Sequence, residues 1–325
     1  MKMISLVIPA YNEEESLPFL LDSLLKLFEN IKYSLEIIVV DDGSIDKTFD
    51  ILRLYNQKYS YIKGIRLSRN MGHQAALDCG LRHALGDAVI SMDADMQHPP
   101  DLIIEMINLW ENEGYEIVLT SKTEDGESGF IYRLWSSTFY SVFNKWSEIK
   151  LTPNGSDFRL MGRKSLEAIL KMPEYHKFYR GLVHFVGFKT VTIPTNVHKR
   201  IAGKRSYTFR KSLKLASDGL FSFSDFALKL PFFFGVISLI IVVLYLLYVI
   251  FGIFLFNSQF VKGWPSTITL IIMSMGLQLV FMGTIGLYIS KIFNEVKRRP
   301  QYFKEDEIGI HYSHDKLTSE VKDQT

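Results

Sequence analysis

The chain has one cysteine, Cys79, in 325 residues. That excludes an internal disulfide and a metal site built from several cysteines, and nothing points to an oxidising compartment. Cys79 reads as a small packing residue. An excess of one charge sign is also missing, because 37 Lys and Arg face 35 Asp and Glu. No global field therefore argues for a nucleic-acid partner, and the placement of the charges matters more than their sum. The N-terminal stretch MKMISLVIPAYNEEE holds too short an apolar run for a signal peptide and passes straight into acids, so the bulk of the chain is expected in the cytosol. Two nucleotide signatures are absent: no G-x-G-x-x-G follows the first strand, which ends in PAYNE, and no G-x-x-x-x-G-K-[ST] occurs. Both absences argue against a Rossmann dehydrogenase and a P-loop ATPase.

What is present to about residue 125 is an alternation of short β-branched runs with longer amphipathic ones: ISLVIPA, LEIIVVDDGS, IKGIRLS, DAVISMDAD and YEIVLTS, each of the first four followed by a helical stretch. This pattern predicts an α/β fold with a mostly parallel sheet and helices on both faces. Ligands of such sheets bind beyond the carboxyl ends of the strands. PAYNE, DDGS, LSRNMGH and DADMQH all fall there, so one polar edge is expected to form the site. Farther on, the sequence predicts a helical segment through Trp146, a strand NGSDFRLM, a helix RKSLEAILKM and a strand KTVTIPT.

Residues 199–214 then hold seven Lys or Arg and no acid. After Lys229 no charge appears until Lys262, and none between Lys262 and Lys291. Each stretch has the roughly 20 apolar residues a spanning helix needs. Cations flank the pair at its outer ends, including Lys291, Lys297, Arg298 and Arg299, so both ends are expected on the cytosolic side. Phe209, Leu213, Ala216, Leu220 and Phe223 recur at helical spacing opposite Arg210, Lys211 and Lys214, which reads as an interfacial amphipathic helix. The expected divisions are a catalytic-type domain over 1–206, an interfacial segment over 207–230, a two-span hairpin over 231–290, and a cytosolic tail over 291–325 that is polar and loosely ordered from about Gln301.

The strand-end groups are mostly acids and amides: Asn12, Glu13, Asp41, Asp42, Asn70, Asp93, Asp95 and Gln97. Such groups accept hydrogen bonds from a base and a ribose, and they hold a hard divalent cation that screens a diphosphate. Strand alternation would turn the carboxylates of Asp93 and Asp95 the same way, toward one ion. The ordinary structural alternative keeps Asp93 buried and satisfied while Asp95 caps a helix starting near Pro99. His98 reads as a supporting or loop residue rather than a ligand.

Taken in order, PAYNE, VVDDGSIDKT, LSRNMGH, MDADMQHPP, NGSDFRLM and the paired apolar spans resemble the family-2 glycosyltransferases of the polyprenyl-phosphate type, over roughly residues 3–295. The resemblance implies a GT-A fold, a Mg²⁺ or Mn²⁺ cofactor, and transfer of a sugar from a nucleotide diphosphate to a polyprenyl phosphate such as undecaprenyl phosphate. It implies that Pro9, Tyr11 and Glu13 border the nucleotide, with Asn12 and Asp41 beside them and Asp42 near the base. Asp93, Ala94 and Asp95 resemble the D-x-D motif, with Gln97 completing its metal side. Lys122 matches a position often held by Arg and is expected near phosphate. Asp157 and Arg159 resemble the acceptor-side pair, Asp157 being a base, a group that orients the acceptor, or one that helps hold the cationic pocket in place. Arg200, Lys204 and Arg205 lie in R-I-A-G-K-R-S-Y, similar to the family's R-x-x-G-K-S-K-Y, with Ser206 at the usual second lysine. Arg205 could take over that cationic role, since guanidinium binds phosphate in a bidentate way. The same basic run also suits an anionic lipid surface.

The resemblance thus implies an inverting, metal-dependent hexosyltransferase of the cell membrane, multi-pass, with its catalytic domain and termini cytosolic. UDP-glucose is the first expected donor, then UDP-N-acetylglucosamine and GDP-mannose. Relatives often assemble through their membrane helices, so a homo-oligomer is compatible. A processive polysaccharide synthase is disfavoured because Q-x-x-R-W is absent and only two spans are expected. A non-catalytic membrane scaffold is disfavoured by the intact acids of D-x-D.

Overall fold

The computed structural model describes residues 1–29, 31–122, 155–174, 177–195 and 263–310, together with the helical positions Phe234, Ile237, Ile240, Ile241 and Leu244. Eight strands form one sheet in the order β7-β5-β6-β4-β1-β2-β3-β8. They are β1 (Met3–Ala10), β2 (Ser34–Asp41), β3 (Ile62–Leu67), β4 (Ala88–Ser91), β5 (Ile117–Lys122), β6 (Gly155–Gly162), β7 (Thr190–Thr195) and β8 (Lys304–Ile308). The helices are α1 (Leu17–Phe28), α2 (Thr48–Lys58), α3 (His73–His83), α4 (Leu102–Asn112), α5 (Arg163–Leu170), α6 (Tyr179–Phe185) and α7 (Trp264–Lys297).

The expected β-α alternation holds through β5. In α1, Leu17, Leu20, Leu21, Leu24 and Phe28 are buried at helical spacing, and a proline in the first turn suits the start of a helix. Each such leucine contributes roughly 1.5–3 kcal/mol by leaving water. The α1 leucines join Phe49, Leu52, Ile103 and Met106 in a core on one sheet face. On the other face Ala76, Leu77 and Leu81 of α3 pack with Leu166, Ile169, Tyr179, Leu182 and Val183 of α5 and α6. The central strands are buried on both faces, which explains their unbroken β-branched runs.

Two strands depart from a parallel pattern. β6 enters antiparallel between β4 and β5, pairing Ser91 with Arg159 and Leu119 with Arg159. β8 pairs antiparallel with β3 at the sheet edge, Gly64 opposite Ile308 and Leu67 opposite Lys304. The expectation of a loose tail from residue 301 is therefore corrected at 302–310. Tyr302 and Ile310 pack on one core and Ile308 on the other, and Ser68 N donates to the Phe303 carbonyl. Lys304, Glu305, Asp306 and Glu307 hide the signal because charge is common on edge strands.

The chain order reverses between β1 and β4: β2 and β3 lie on one side of β1, while β4, β6, β5 and β7 lie on the other. A crevice at the carboxyl ends of β1 and β4 follows. Among the described residues one helix is long and apolar enough to cross a membrane, over Met273–Lys297 of α7, with none of that stretch buried. The amphipathic segment 207–230, most of the first expected span and the helix expected through Trp146 lie outside the described residues.

Candidate active site

Three loops close one side of the crevice. Asp41, fully buried at the end of β2, accepts from Ser44 N (2.9 Å), forming a tight turn. Asn12 sits in the left-handed region at φ 55°; its N–H donates to Ser44 Oγ (2.9 Å) and its Oδ1 accepts from Ile45 N (3.0 Å). Glu13 N donates to Thr48 Oγ1, and Ser16 Oγ donates to the Glu13 carboxylate. Asp42 accepts from Met71 N (2.7 Å) and Gly72 N (2.9 Å). Gly43, at φ +68°, is the close-approach point: a Cβ there would meet the backbone of Arg69 and Asn70 at 2.5–2.7 Å. PAYNE, DDGS and SRNMG are thus knitted into one wall, with Pro9 buried at the end of β1 and Tyr11 exposed.

Burial pushes both Asp41 and Asp42 above the ordinary carboxylate range, against the hydrogen bonds that favour their charged forms. Among the described residues Asp41 Oδ2 accepts no hydrogen bond, and Arg66 Nε lies 3.6 Å from it. An acid held in this way is suited to receiving an N–H or O–H donor.

The D-x-D segment differs from the strand-end arrangement expected. β4 ends at Ser91, although Met92 N still donates to the Val7 carbonyl (3.1 Å). Asp93, Ala94 and Asp95 lie in the turn beyond, which Met96 leaves at φ 59°. Period-two alternation does not apply in a turn, so the two acids meet different surroundings. Asp93 is one-third exposed and pairs with His73 Nε2 (2.8 Å), while Asp95 is buried and its Oδ1 accepts from Gln97 N (3.1 Å). Ala94 is buried. Asp95 does not cap α4, whose first helical residue is Leu102. Burial opposes the charge on Asp93, but the His73 hydrogen bond and the His73 and His98 charges together outweigh it and hold the carboxyl below its ordinary range. Burial likewise opposes the His73 charge, and Asp93 outweighs it, raising the imidazole.

The antiparallel entry of β6 supplies the other wall. Ser91 pairs with Arg159 and its Oγ donates to the Asp157 carbonyl (2.7 Å), which puts Asp157 near enough for its charge to be felt at Asp93. Asp157 and Arg159 share one side of the strand, as alternation requires, while Phe158 and Leu160 face the core. Arg159 Nη2 donates to Asp157 Oδ1 at 2.5 Å. Arg180, at the start of α6, reaches the same carboxylate twice: Nε to Oδ1 at 3.1 Å and Nη2 to Oδ2 at 2.8 Å. Burial raises Asp157, yet Arg180 and Arg159 overcome it and hold the carboxyl well below the usual range. Arg159 is almost wholly buried, and among the described residues its Nε and Nη1 have no hydrogen-bond partner. His98 is buried against Phe158 with its Nε2 2.9 Å from Ser156 Oγ and 4.0 Å from Asp93, a supporting position.

Arg180 and His73 are site residues the sequence reading missed. The available signal for Arg180 was one arginine among aromatic and aliphatic residues in KFYRGLVHFVG; for His73 it was its place in LSRNMGH. Behind Arg180, Tyr179 Oη donates to Asp78 Oδ1 at 2.5 Å and Lys177 Nζ lies 3.5 Å from the same oxygen, so α3 anchors the start of α6. Lys122 closes β5 opposite Thr195. Arg200, Lys204 and Arg205 lie outside the described residues.

Among the described residues no group of three or more His, Cys, Asp and Glu could hold a metal ion by itself. Asp93 and Asp95 supply two carboxylates. That donor set fits an ion which brings most of its ligands as phosphate and water oxygens, as Mg²⁺ commonly does.

The sequence pattern of glycosyl transferase family 2 matches residues 5–170. An uncharacterized glycosyltransferase of Synechocystis sp. is 38% identical over 310 residues, 95% of this chain and 96% of the relative. A prophage bactoprenol glucosyl transferase homolog of Escherichia coli is 34% identical over 299 residues, covering 92% and 97%. The bactoprenol glucosyl transferase of Shigella phage SfV is 34% identical over 304 residues, covering 94% and 98%.

Proposed function

Because the chain belongs to glycosyl transferase family 2, we propose that it moves a hexose, glucose first, from a UDP-sugar to a polyprenyl phosphate at the cytosolic leaflet. The observation that carries this reading is the junction of β4 and β6: the acids that suit a nucleotide-sugar diphosphate and a buried arginine with two unpaired donors lie at one crevice. Relatives named for glucosyl transfer to bactoprenol support the acceptor class and the choice of glucose. UDP-N-acetylglucosamine and GDP-mannose remain the alternative donors.

In the proposed reaction an oxygen of the lipid phosphate attacks the anomeric carbon, the bond from that carbon to the diphosphate breaks, and UDP leaves from the opposite face with inversion. The wall built by Asn12, Asp41 and Asp42 would take the nucleoside, fixing the leaving group in line with the acceptor. Asp93 and Asp95, with Gln97 beside them, would hold a divalent cation, which when bound screens the diphosphate charge. His73 keeps Asp93 anionic and oriented. Asp157 serves as the counter-ion that fixes Arg159 and Arg180. An acceptor phosphate is already an anion at neutral pH, so the chemistry asks little of a base.

The membrane arrangement we propose is the two-span hairpin over 231–290 between a cytosolic domain (1–206), an interfacial segment (207–230) and a cytosolic tail (291–325). The β3–β8 pairing supports it. Residues 304–308 lie in the same sheet as the soluble domain, so if α7 crosses a bilayer the chain before it must cross an odd number of times. The exposed apolar residues Phe234, Ile237, Ile240, Ile241 and Leu244 suit such a crossing. Lys297, Arg298 and Arg299 at the end of α7 agree with a cytosolic exit.

The test is Asp95→Ala in membranes given labelled UDP-glucose and undecaprenyl phosphate. Transfer to lipid is expected to fall at least a hundredfold, with protein abundance unchanged. Undiminished transfer would remove Asp95 from the donor side.

A further inference from the structure

We propose that Arg180 is a binding residue for the anionic head of the acceptor, sharing the phosphate with Arg159, and that Asp157 occupies its place until the acceptor arrives. This rests on the reading above and extends it to a residue that the motif pattern does not contain.

Arg159 gives the first half of the argument. It has a fixed positive charge on a side chain 1% exposed, and among the described residues only Nη2 is engaged, toward Asp157 and the Ser156 carbonyl. Burying guanidinium donors without partners is unfavourable, so their persistence points to an anion that completes the set. Burial disfavours the Arg159 charge, partly offset by Asp157, which is the electrostatic form of the same deficit.

Arg180 gives the second half. Its side chain is 32% exposed against 1% for Arg159, so it borders the opening while Arg159 forms the floor. Its ends are set by different restraints: the guanidinium binds both Asp157 oxygens, and the backbone beside it is anchored through Tyr179 to Asp78. A fork with a fixed stem matches the oxygens of a phosphate monoester as well as those of a carboxylate. Asp157 and Asp93 balance Arg159 and Arg180 in the resting cluster, with His73 against Asp93 and His184 also facing Arg159. An arriving phosphate would exchange the Arg180–Asp157 contact for an Arg180–phosphate contact. Asp157 would remain paired with Arg159, so no carboxylate is stranded.

The experiment measures steady-state transfer by the full-length protein in detergent, with UDP-glucose and farnesyl phosphate varied separately. Arg180→Lys and Arg180→Ala are compared with wild type, and inorganic phosphate serves as a competing anion. The expected result is an acceptor KM raised at least tenfold in Arg180→Ala and by a smaller factor, still more than twofold, in Arg180→Lys, with donor KM within twofold of wild type. Phosphate is expected to compete with the acceptor in wild type and to lose that competition in both variants. An acceptor KM within twofold of wild type in Arg180→Lys, or donor and acceptor KM raised alike, would overturn the proposal and leave Arg180 a structural partner of Asp157. Arg180→Lys keeps the charge and decides the matter should the alanine variant fail to fold. Absence of transfer by wild type to any prenyl phosphate would instead refute the underlying function.

Discussion

Asp157→Asn separates two roles for this carboxylate. Both oxygens of Asp157 are engaged by guanidinium groups, and among the described residues Arg159 hydrogen-bonds no other carboxylate, although the charge of Asp93 is also felt there. Breaking a buried ion pair by removing one partner costs about 3–5 kcal/mol. Arg180 is one-third exposed and regains water, so we take the lower end, about 3 kcal/mol. For a domain of this size each kcal/mol moves Tm by about 2–4 °C, giving a fall of roughly 6–12 °C. Thermal unfolding of the purified variant in detergent reads this directly, and parallel kinetics read the acceptor KM, which is expected to rise. A catalytic base would behave otherwise, since an efficient base needs a pKa near the working pH and the paired guanidiniums hold Asp157 far below it. An unchanged Tm with kcat reduced about a thousandfold at unchanged KM values would refute the counter-ion role and restore Asp157 as the base.

Three further outcomes are expected. Asp157 has a lowered pKa in the folded chain, so its stabilisation is complete above its unfolded pKa of about 3.9 and is lost as pH falls toward the folded value. The Tm difference between wild type and Asp157→Asn should therefore stay constant from pH 5 to 8 and shrink below pH 4; a slope between 5 and 8 would count against it. Gly43→Ala forces a left-handed residue against the Arg69–Asn70 backbone, costing about 1–2 kcal/mol from conformation before the clash, and should lower Tm and raise donor KM together. A chain ending at Pro300 lacks Tyr302, which packs on the same core as Cys79, where burial pushes the thiol up to about 12. Maleimide should leave Cys79 unlabelled in the native full chain and label it in the truncated one, whereas equal labelling would contradict the packing of the C-terminal strand.

The parallel half of the fold was legible because β-branched runs and amphipathic stretches alternate at the two periods that distinguish strand from helix. Asp157 and Arg159 could be assigned to one side of a strand by the same period of two, and the structure keeps them there. That rule failed at Asp93 and Asp95 because the strand stops at Ser91 and a turn follows. The insertion of β6 between β4 and β5 has no local signature; only pairing across the chain brings Asp157 to the end of β4, where its charge is felt at Asp93. Arg180 escaped notice because α6 has only seven residues, too few for helical periodicity to declare itself. β8 escaped because its Lys-Glu-Asp-Glu sequence suits a solvated edge as well as a loose tail.

The most direct measurement is mass spectrometry of the lipid formed when purified full-length protein is given UDP-glucose, undecaprenyl phosphate and Mg²⁺ or Mn²⁺. The expected product is undecaprenyl phosphate heavier by one hexose unit, with one UDP released per lipid modified. Release of UDP and free glucose with no modified lipid would contradict acceptor transfer as the function of this site.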